Sequence, residues 1–200
     1  IENNIYNWKK VPKYLDDITI SILRKTIFIS GERFPIKIMK KDDNYNFRIR
    51  KDKIKNGSVS VSETVEYKYK ILDKIKSSGI TEYYIKKPMI DHYKKKVVFS
   101  QGGSYTFPFY DFGEYSCSDN IKYILVDNEK QGYLYVEFMK SKLIKFLENC
   151  LTKGIDMDFS YTICNIKSIE FDDMKNSSSI YRSYNLTNEE IDFIEKTIKD

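Results

Sequence analysis

The chain is poor in the residues that most often announce chemistry. Its 200 residues include three cysteines (Cys117, Cys150 and Cys164), one histidine (His92), one tryptophan and four prolines. An odd number of cysteines without regular spacing excludes a disulfide framework and points to reduced thiols, and so to an intracellular, cytoplasmic protein. The cysteines and His92 together are four potential zinc ligands, but no CxxC or HxxxH pair occurs among them. Structural zinc sites are usually built on at least one such pair, so no metal site is expected. No apolar run reaches the roughly 18 residues of a membrane span, and no signal peptide opens the chain; a membrane partner is not expected. There is no GxGxxG or Walker loop to cradle a nucleotide. No Ser-His-Asp set stands out, and His92, beside a lysine cluster, reads as a surface or packing residue rather than a general base. No catalytic residue is assigned.

What the chain does have is charge, unevenly placed. It is 41% hydrophobic, enough to bury a sizeable core in one domain spanning 1–200. Residues 1–100 carry 23 Lys/Arg against 12 Asp/Glu, a net of +11, and residues 101–200 carry 11 against 17, a net of −6. A positive field concentrated in one half attracts phosphate backbones. On composition alone, a solvated Lys-rich surface explains it equally well. The chain opens on Ile1 rather than Met, which fits a fragment or processed product whose missing part could carry the activity, and leaves a free-standing specificity protein as the alternative.

Periodicity suggests an α/β (α+β) fold, a mixed β-sheet with flanking helices. Residues 17–30 alternate Ile with other residues and read as extended. Residues 35–41 and 45–51 flank Asp42, Asp43 and Asn44 and read as a hairpin, one face of which carries Lys37, Arg48 and Arg50. Asn56-Gly57 marks a turn. Residues 63–78 place Val65, Tyr69, Leu72 and Ile75 at helical spacing, with a Ser60/Glu63 capping box and Gly79 at the end. VVFS (97–100) and IKYILV (121–126) read as buried strands, separated by a long irregular segment of the kind that usually has a function. Residues 133–152 form the clearest helix, with Val136, Met139, Leu143, Phe146, Leu147 and Cys150 on one stripe and Gly154 at its end. Residues 159–169 suggest a return strand. Thr187 and Glu190 make a capping box, stapled by Leu186 and Ile191, for a last helix at 188–198 that packs through Ile191, Ile194 and Ile198.

Two constellations bear on function. Glu66-Tyr67-Lys68 is an ExK of the type used by metal-dependent nucleases, with Asp42, Asp43 or Asp52 upstream as partners. Such enzymes need carboxylates and a Lys converging on Mg²⁺, usually from a buried strand, whereas this triplet falls in a helical pattern. The weightier constellation is 94–112. Lys94, Lys95 and Lys96 suit phosphates, Gly102-Gly103 lets backbone approach a ligand, and Ser100, Gln101, Ser104 and Thr106 suit base edges. Tyr105, Phe107, Phe109 and Tyr110 suit sugars, thymine methyls or unstacked bases. A structural loop with core-plugging aromatics and solvated lysines is the competing reading.

The order of motifs from Lys94 onward is more specific than any one of them. KKKVVFSQGGSYTFPFYD (94–111), CSDNIKYILVDNE (117–129), a helix with FMKSKLIKFLENC (138–150) and a closing IYRSYNLTNEEIDFIEKTI (180–198) follow one another. This half of the chain resembles the C-terminal target-recognition region of type II and type IIG adenine-specific DNA methyltransferases, of the Eco57I-like and TaqI-like kind. Lys140-Ser141-Lys142 stands where that family has an "nSk" element. Residues 1–93 match only in general character.

The resemblance implies a domain that docks into double-stranded DNA, reads a short sequence and positions a flipped adenine for a separate S-adenosylmethionine-dependent catalytic domain of a restriction–modification system. The catalytic N/D/S-P-P-Y/F motif and the glycine-rich cofactor loop of those enzymes are missing here, so no cofactor is expected in this chain. The expected DNA-binding set is Lys94, Lys95, Lys96, Ser100, Gln101, Gly102, Gly103, Ser104, Tyr105 and Thr106, with Arg48 and Arg50 from the basic part. A metal-dependent nuclease and a non-catalytic protein-interaction module are the alternatives.

Overall fold

The computed structural model describes residues 16–27, 48–49, 51–100, 107–151, 163 and 166–198. The expected hairpin at 35–41 and 45–51 and the return strand at 159–169 fall largely outside these residues. Where they are described, Lys51 opens a short helix, α2 (Lys51–Lys55), and Ile163 is helical.

Helix α1 (Asp17–Thr26) occupies the segment whose Ile alternation suggested a strand. Asp16 caps it, its side chain accepting from Thr19 N at 2.7 Å, and Arg24 and Lys25 lie in its last turn, where the helix dipole favours cations. Ile18 and Ile22 are four apart and Leu23 adjoins them, so helix winding gathers them on one face against the main core. The modest helix penalty of β-branched residues is outweighed by that burial.

The expected helix at 63–78 is instead the first arm of a β-hairpin. Strand β1 (Tyr69–Lys76) turns through Ser77-Ser78 into β2 (Gly79–Ile85), with Lys76 paired to Gly79 and Tyr69 to Ile85. Gly79 takes φ +126°, open only to glycine without strain. The register slips between Leu72 and Lys74, and the slip explains the helical look of the sequence. A bulge inserts one extra residue, so Leu72 and Ile75, three apart, lie against the same cluster of Val98, Cys117, Ile121 and Tyr123. Ile71 joins a separate cluster with Val59 and Ile85. The proposed Ser60/Glu63 capping box is absent as well: Ser60 exchanges both backbone hydrogen bonds with Tyr84 and donates its hydroxyl to Ser62 O. The Asn56-Gly57 turn is present, with Gly57 at φ +70° and Asn56 Oδ1 accepting from Ser58 N.

Strands β3 (Lys96–Ser100), β4 (Phe109–Asp111), β5 (Tyr115–Cys117) and β6 (Ile121–Leu125) complete two three-stranded sheets. One runs β4-β3-β6 and is antiparallel; the other runs β2-β1-β5, with β1 and β5 parallel. The segment between the two expected strands is thus partly regular, supplying one strand to each sheet. Alternation along β3 puts Val97 and Phe99 towards the helices and Val98 towards the second sheet. The fold is α+β and layered: helices, sheet β4-β3-β6, sheet β2-β1-β5, then α2 with its neighbours Ile49, Ile54 and Val59.

The expected single helix at 133–152 is two. Helix α3 (Glu129–Lys140) starts earlier, because Asn128 accepts from Gln131 N and caps it, and ends where Ser141 adopts an extended backbone (ψ 152°). Helix α4 (Lys142–Leu151) follows directly. The apolar stripe from Val136 to Cys150 is buried as anticipated. A 3-10 turn (Phe171–Lys175), α5 (Ser177–Ser183) and α6 (Asn188–Thr197) close the helical layer. The Thr187–Glu190 capping box forms in full, and Ile194 and Ile198 are buried. No helix among the described residues is long and apolar enough to cross a membrane.

Candidate nucleic-acid interface

Of the expected DNA-binding residues, Arg48, Lys94, Lys95, Lys96 and Ser100 are described; Arg50 and the 101–106 segment from Gln101 to Thr106 are not. Arg48, Lys94 and Lys95 are exposed. Lys94 pairs with Asp91 at 2.8 Å while keeping 63% of its side chain in solvent.

Lys96 does not suit phosphate. It begins β3 with its side chain 1% exposed, and Nζ sits 2.7 Å from Asp111 Oδ2. The same ammonium donates to the carbonyls of Asp91 (2.9 Å), His92 (3.1 Å) and Lys94 (3.1 Å). Asp111 Oδ1 accepts from the backbone N–H groups of Gly113 and Glu114. Strand alternation turns this third lysine of the triplet inward, and a buried charge persists only when paired and hydrogen-bonded. Lys96 therefore ties the turn at 91–94 to β4.

Ser100 is also turned inward, 9% exposed. Its hydroxyl accepts from Ile75 N (3.1 Å) and donates to Ile75 O (2.9 Å). It reads no base; it fastens the end of β3 to the β1–β2 hairpin tip. His92 is a packing residue as anticipated. It is 6% exposed, sits 2.9 Å from Ser116 Oγ and meets the Tyr69 and Tyr93 rings edge-on. Burial lowers its pKa and the charge of Lys96 lowers it further, against a smaller opposing effect of Asp111.

Glu66-Tyr67-Lys68 lies in the irregular stretch before β1, not on a helix and not on a buried strand. Glu66 is exposed and pairs with Lys86; the Lys68 ammonium lies 5.3 Å from the centre of the Tyr69 ring. Among the described residues no group of three or more His, Cys, Asp or Glu is arranged to hold a metal ion.

The 94–112 constellation is therefore divided along β3. Lys94 and Lys95 precede the strand and the 101–106 segment leaves its other end, about 13 Å away at about 3.3 Å per residue. What lies beside Ser100, the last residue of β3, is the hairpin tip, carrying the exposed Lys74 and Lys76. The turn at 118–120 meets the same hairpin: Ser118 N donates to Leu72 O at 2.9 Å, and Ser118 Oγ and Asn120 Nδ2 donate to Asp73 Oδ1 at 3.1 and 3.0 Å. Asp73, at the bulge, is consumed by that tie, so the tip presents lysines without a competing carboxylate from its own strand.

Sequence reasoning missed Lys74 and Lys76 as part of this end, having placed them on a helix. The signal available was Ser77-Ser78-Gly79, a turn cluster after the alternating YKYKI. Residues 68–87 hold six lysines against Asp73 and Glu82, so the hairpin with its immediate flanks carries a net of +4. No protein-family model, curated protein or solved structure matches the chain.

Proposed function

We propose that this chain is a DNA target-recognition domain, acting beside a separate S-adenosylmethionine-dependent adenine methyltransferase domain of a restriction–modification system in the cytoplasm. Lys74 and Lys76 grip phosphates, Lys94 and Lys95 add charge at the far end of β3, and Gln101 to Thr106 supply the donors and acceptors offered to base edges. The cofactor and the methyl transfer belong to the partner domain. The observation that supports this reading best is the double hydrogen bond from Ser100 to Ile75, which fastens the base of the 101–106 segment to a lysine-bearing hairpin. On this reading, that junction couples phosphate grip to sequence reading. The buried thiol of Cys117, outside any disulfide, agrees with a reducing compartment.

Fluorescence anisotropy with duplex DNA over a salt series tests it. Binding should weaken linearly in log–log form, and Lys74→Ala with Lys76→Ala should reduce the slope by about two units, nearly one per lost phosphate contact. Gln101→Ala or Ser104→Ala should relax sequence preference while leaving the slope unchanged. Absence of salt-dependent DNA binding would sink the reading in favour of a protein-interaction module.

A further inference from the structure

On the helical layer, the end of α3, the start of α4 and the 3-10 turn line an open cavity of about 320 Å³, at the small end of the range for ligand pockets. Its floor is apolar, formed by Met174 and Ile180, which are 1% and 2% exposed. Its rim is basic: Lys140, Lys142, Lys145 and Lys175 converge on it from three segments.

Two carboxylates also line it, and one is already used. Glu195 pairs with Lys142 at 3.0 Å and accepts from the Tyr181 hydroxyl at 2.7 Å. That leaves Glu137 against the remaining lysines, of which Lys140 and Lys145 make no ion pair among the described residues. The neutral groups are donors too. Asn176 Oδ1 is committed to Ser179 N at 2.9 Å, so what Asn176 offers the cavity is its amide NH₂. Ser141 Oγ accepts from Ile144 N at 3.4 Å and keeps its hydroxyl hydrogen for a ligand. On a flat surface lysines fan into solvent; across a concave wall their fields add and concentrate an anion. Four ammonium groups against two carboxylates, with neutral donors beside them, favour a ligand made of acceptors.

We propose that this cavity is a phosphate-binding pocket, holding a phosphate ester through Lys140, Lys145 and the Asn176 amide. Its ligand is either a free phosphate ester or a phosphate of a nucleic-acid backbone. The pocket lies on the helical layer, whereas the hairpin tip belongs to the outer sheet, so the inference stands independently of the DNA-recognition reading.

Isothermal titration of the full chain with inorganic pyrophosphate at low salt is the test. Saturable one-to-one binding is expected, weakened at least tenfold in Lys140→Gln with Lys145→Gln and tightened several-fold in Glu137→Gln. Lys74→Ala with Lys76→Ala should leave it unchanged. The urea midpoint of each variant reports whether it remains folded, and Glu137→Gln carries the test if the lysine variant does not fold. No saturable binding, or binding indifferent to all of these lining changes, overturns the proposal. A short duplex that displaces pyrophosphate identifies the backbone as the source; a duplex that binds without displacing it identifies a free ester.

Discussion

The two ends of β3 use similar residues for opposite purposes. At its start, Lys96 is surrounded by three carbonyls and Asp111, wholly withdrawn from solvent. At its far end, Ser100 makes two hydrogen bonds to Ile75 and adjoins a tip whose Lys74 and Lys76 are in water. Lys96 is a bolt; Lys74 and Lys76 are free to meet a ligand. Residue type alone does not separate these roles. The direction of the side chain relative to the pleat does, since burial obliges a charge to find partners and exposure does not.

The largest expected effect breaks the comparison at its buried end. Lys96→Ala leaves Asp111 facing an empty site and three carbonyls without their donor, and should lower unfolding free energy by about 3–5 kcal/mol in urea titration. Replacing both partners, Lys96→Met with Asp111→Leu, should recover much of that loss, because no isolated charge remains. If Lys96→Ala is as mild as a surface change, the buried-bolt description is wrong.

The next effect strikes the same end through packing. Tyr110 pairs with Val97 on the neighbouring strand, and a Cβ on Gly132 would stand 2.4 Å from its ring. Gly132→Ala should therefore cost about 1–3 kcal/mol by overpacking, read from the shift of the denaturant midpoint at constant m-value.

Ser100→Ala addresses the other end and should be gentler, about 1–2 kcal/mol, since it removes hydrogen bonds between neutral groups and leaves no charge unpaired. Its sharper readout is DNA: loosening the junction should reduce discrimination between sequences while leaving the salt slope intact. Equal discrimination before and after the change would separate the hairpin tip from the reading segment.

The smallest effect is in pH. His92, beside the Lys96 cluster, has a pKa held below its ordinary 6.5 by burial. The unfolded chain then binds the proton more readily, so this contribution is complete above pH 6.5 and is lost as pH falls from there towards the lower folded value. His92→Gln should flatten the stability profile across that window and leave it unchanged above pH 7.

Legibility followed the range of the interactions involved. The Thr187–Glu190 box and the Asn56-Gly57 turn depend on neighbours within a few residues, and the strands at 96–100 and 121–125, though paired with each other across the chain, are marked by their own short apolar runs; all lie within a residue of where the pattern put them. The 63–78 segment misled because the bulge between Leu72 and Lys74 places residues three apart on one face, imitating helical spacing. The 17–30 segment misled in reverse, since its Ile alternation also winds into an apolar helical face once the core is there to receive it. Within the candidate site, Lys94 and Lys95 were legible as exposed charges; the withdrawal of Lys96 and Ser100 was not, because their partners Asp111 and Ile75 are remote in sequence.

The sequence by itself determined the uneven charge, the lack of nucleotide-binding loops, the α+β character and the apolar stripe running from Val136 to Cys150. These follow from composition and local periodicity, which need no knowledge of what packs against what. Only the tertiary structure decided which lysines face water, that the 94–112 segment is divided between the two ends of one strand, and that Lys140, Lys145 and Asn176 line a common cavity. Each of these depends on elements far apart in the chain coming together, and a side chain's role as bolt or as ligand contact is settled by that neighbourhood.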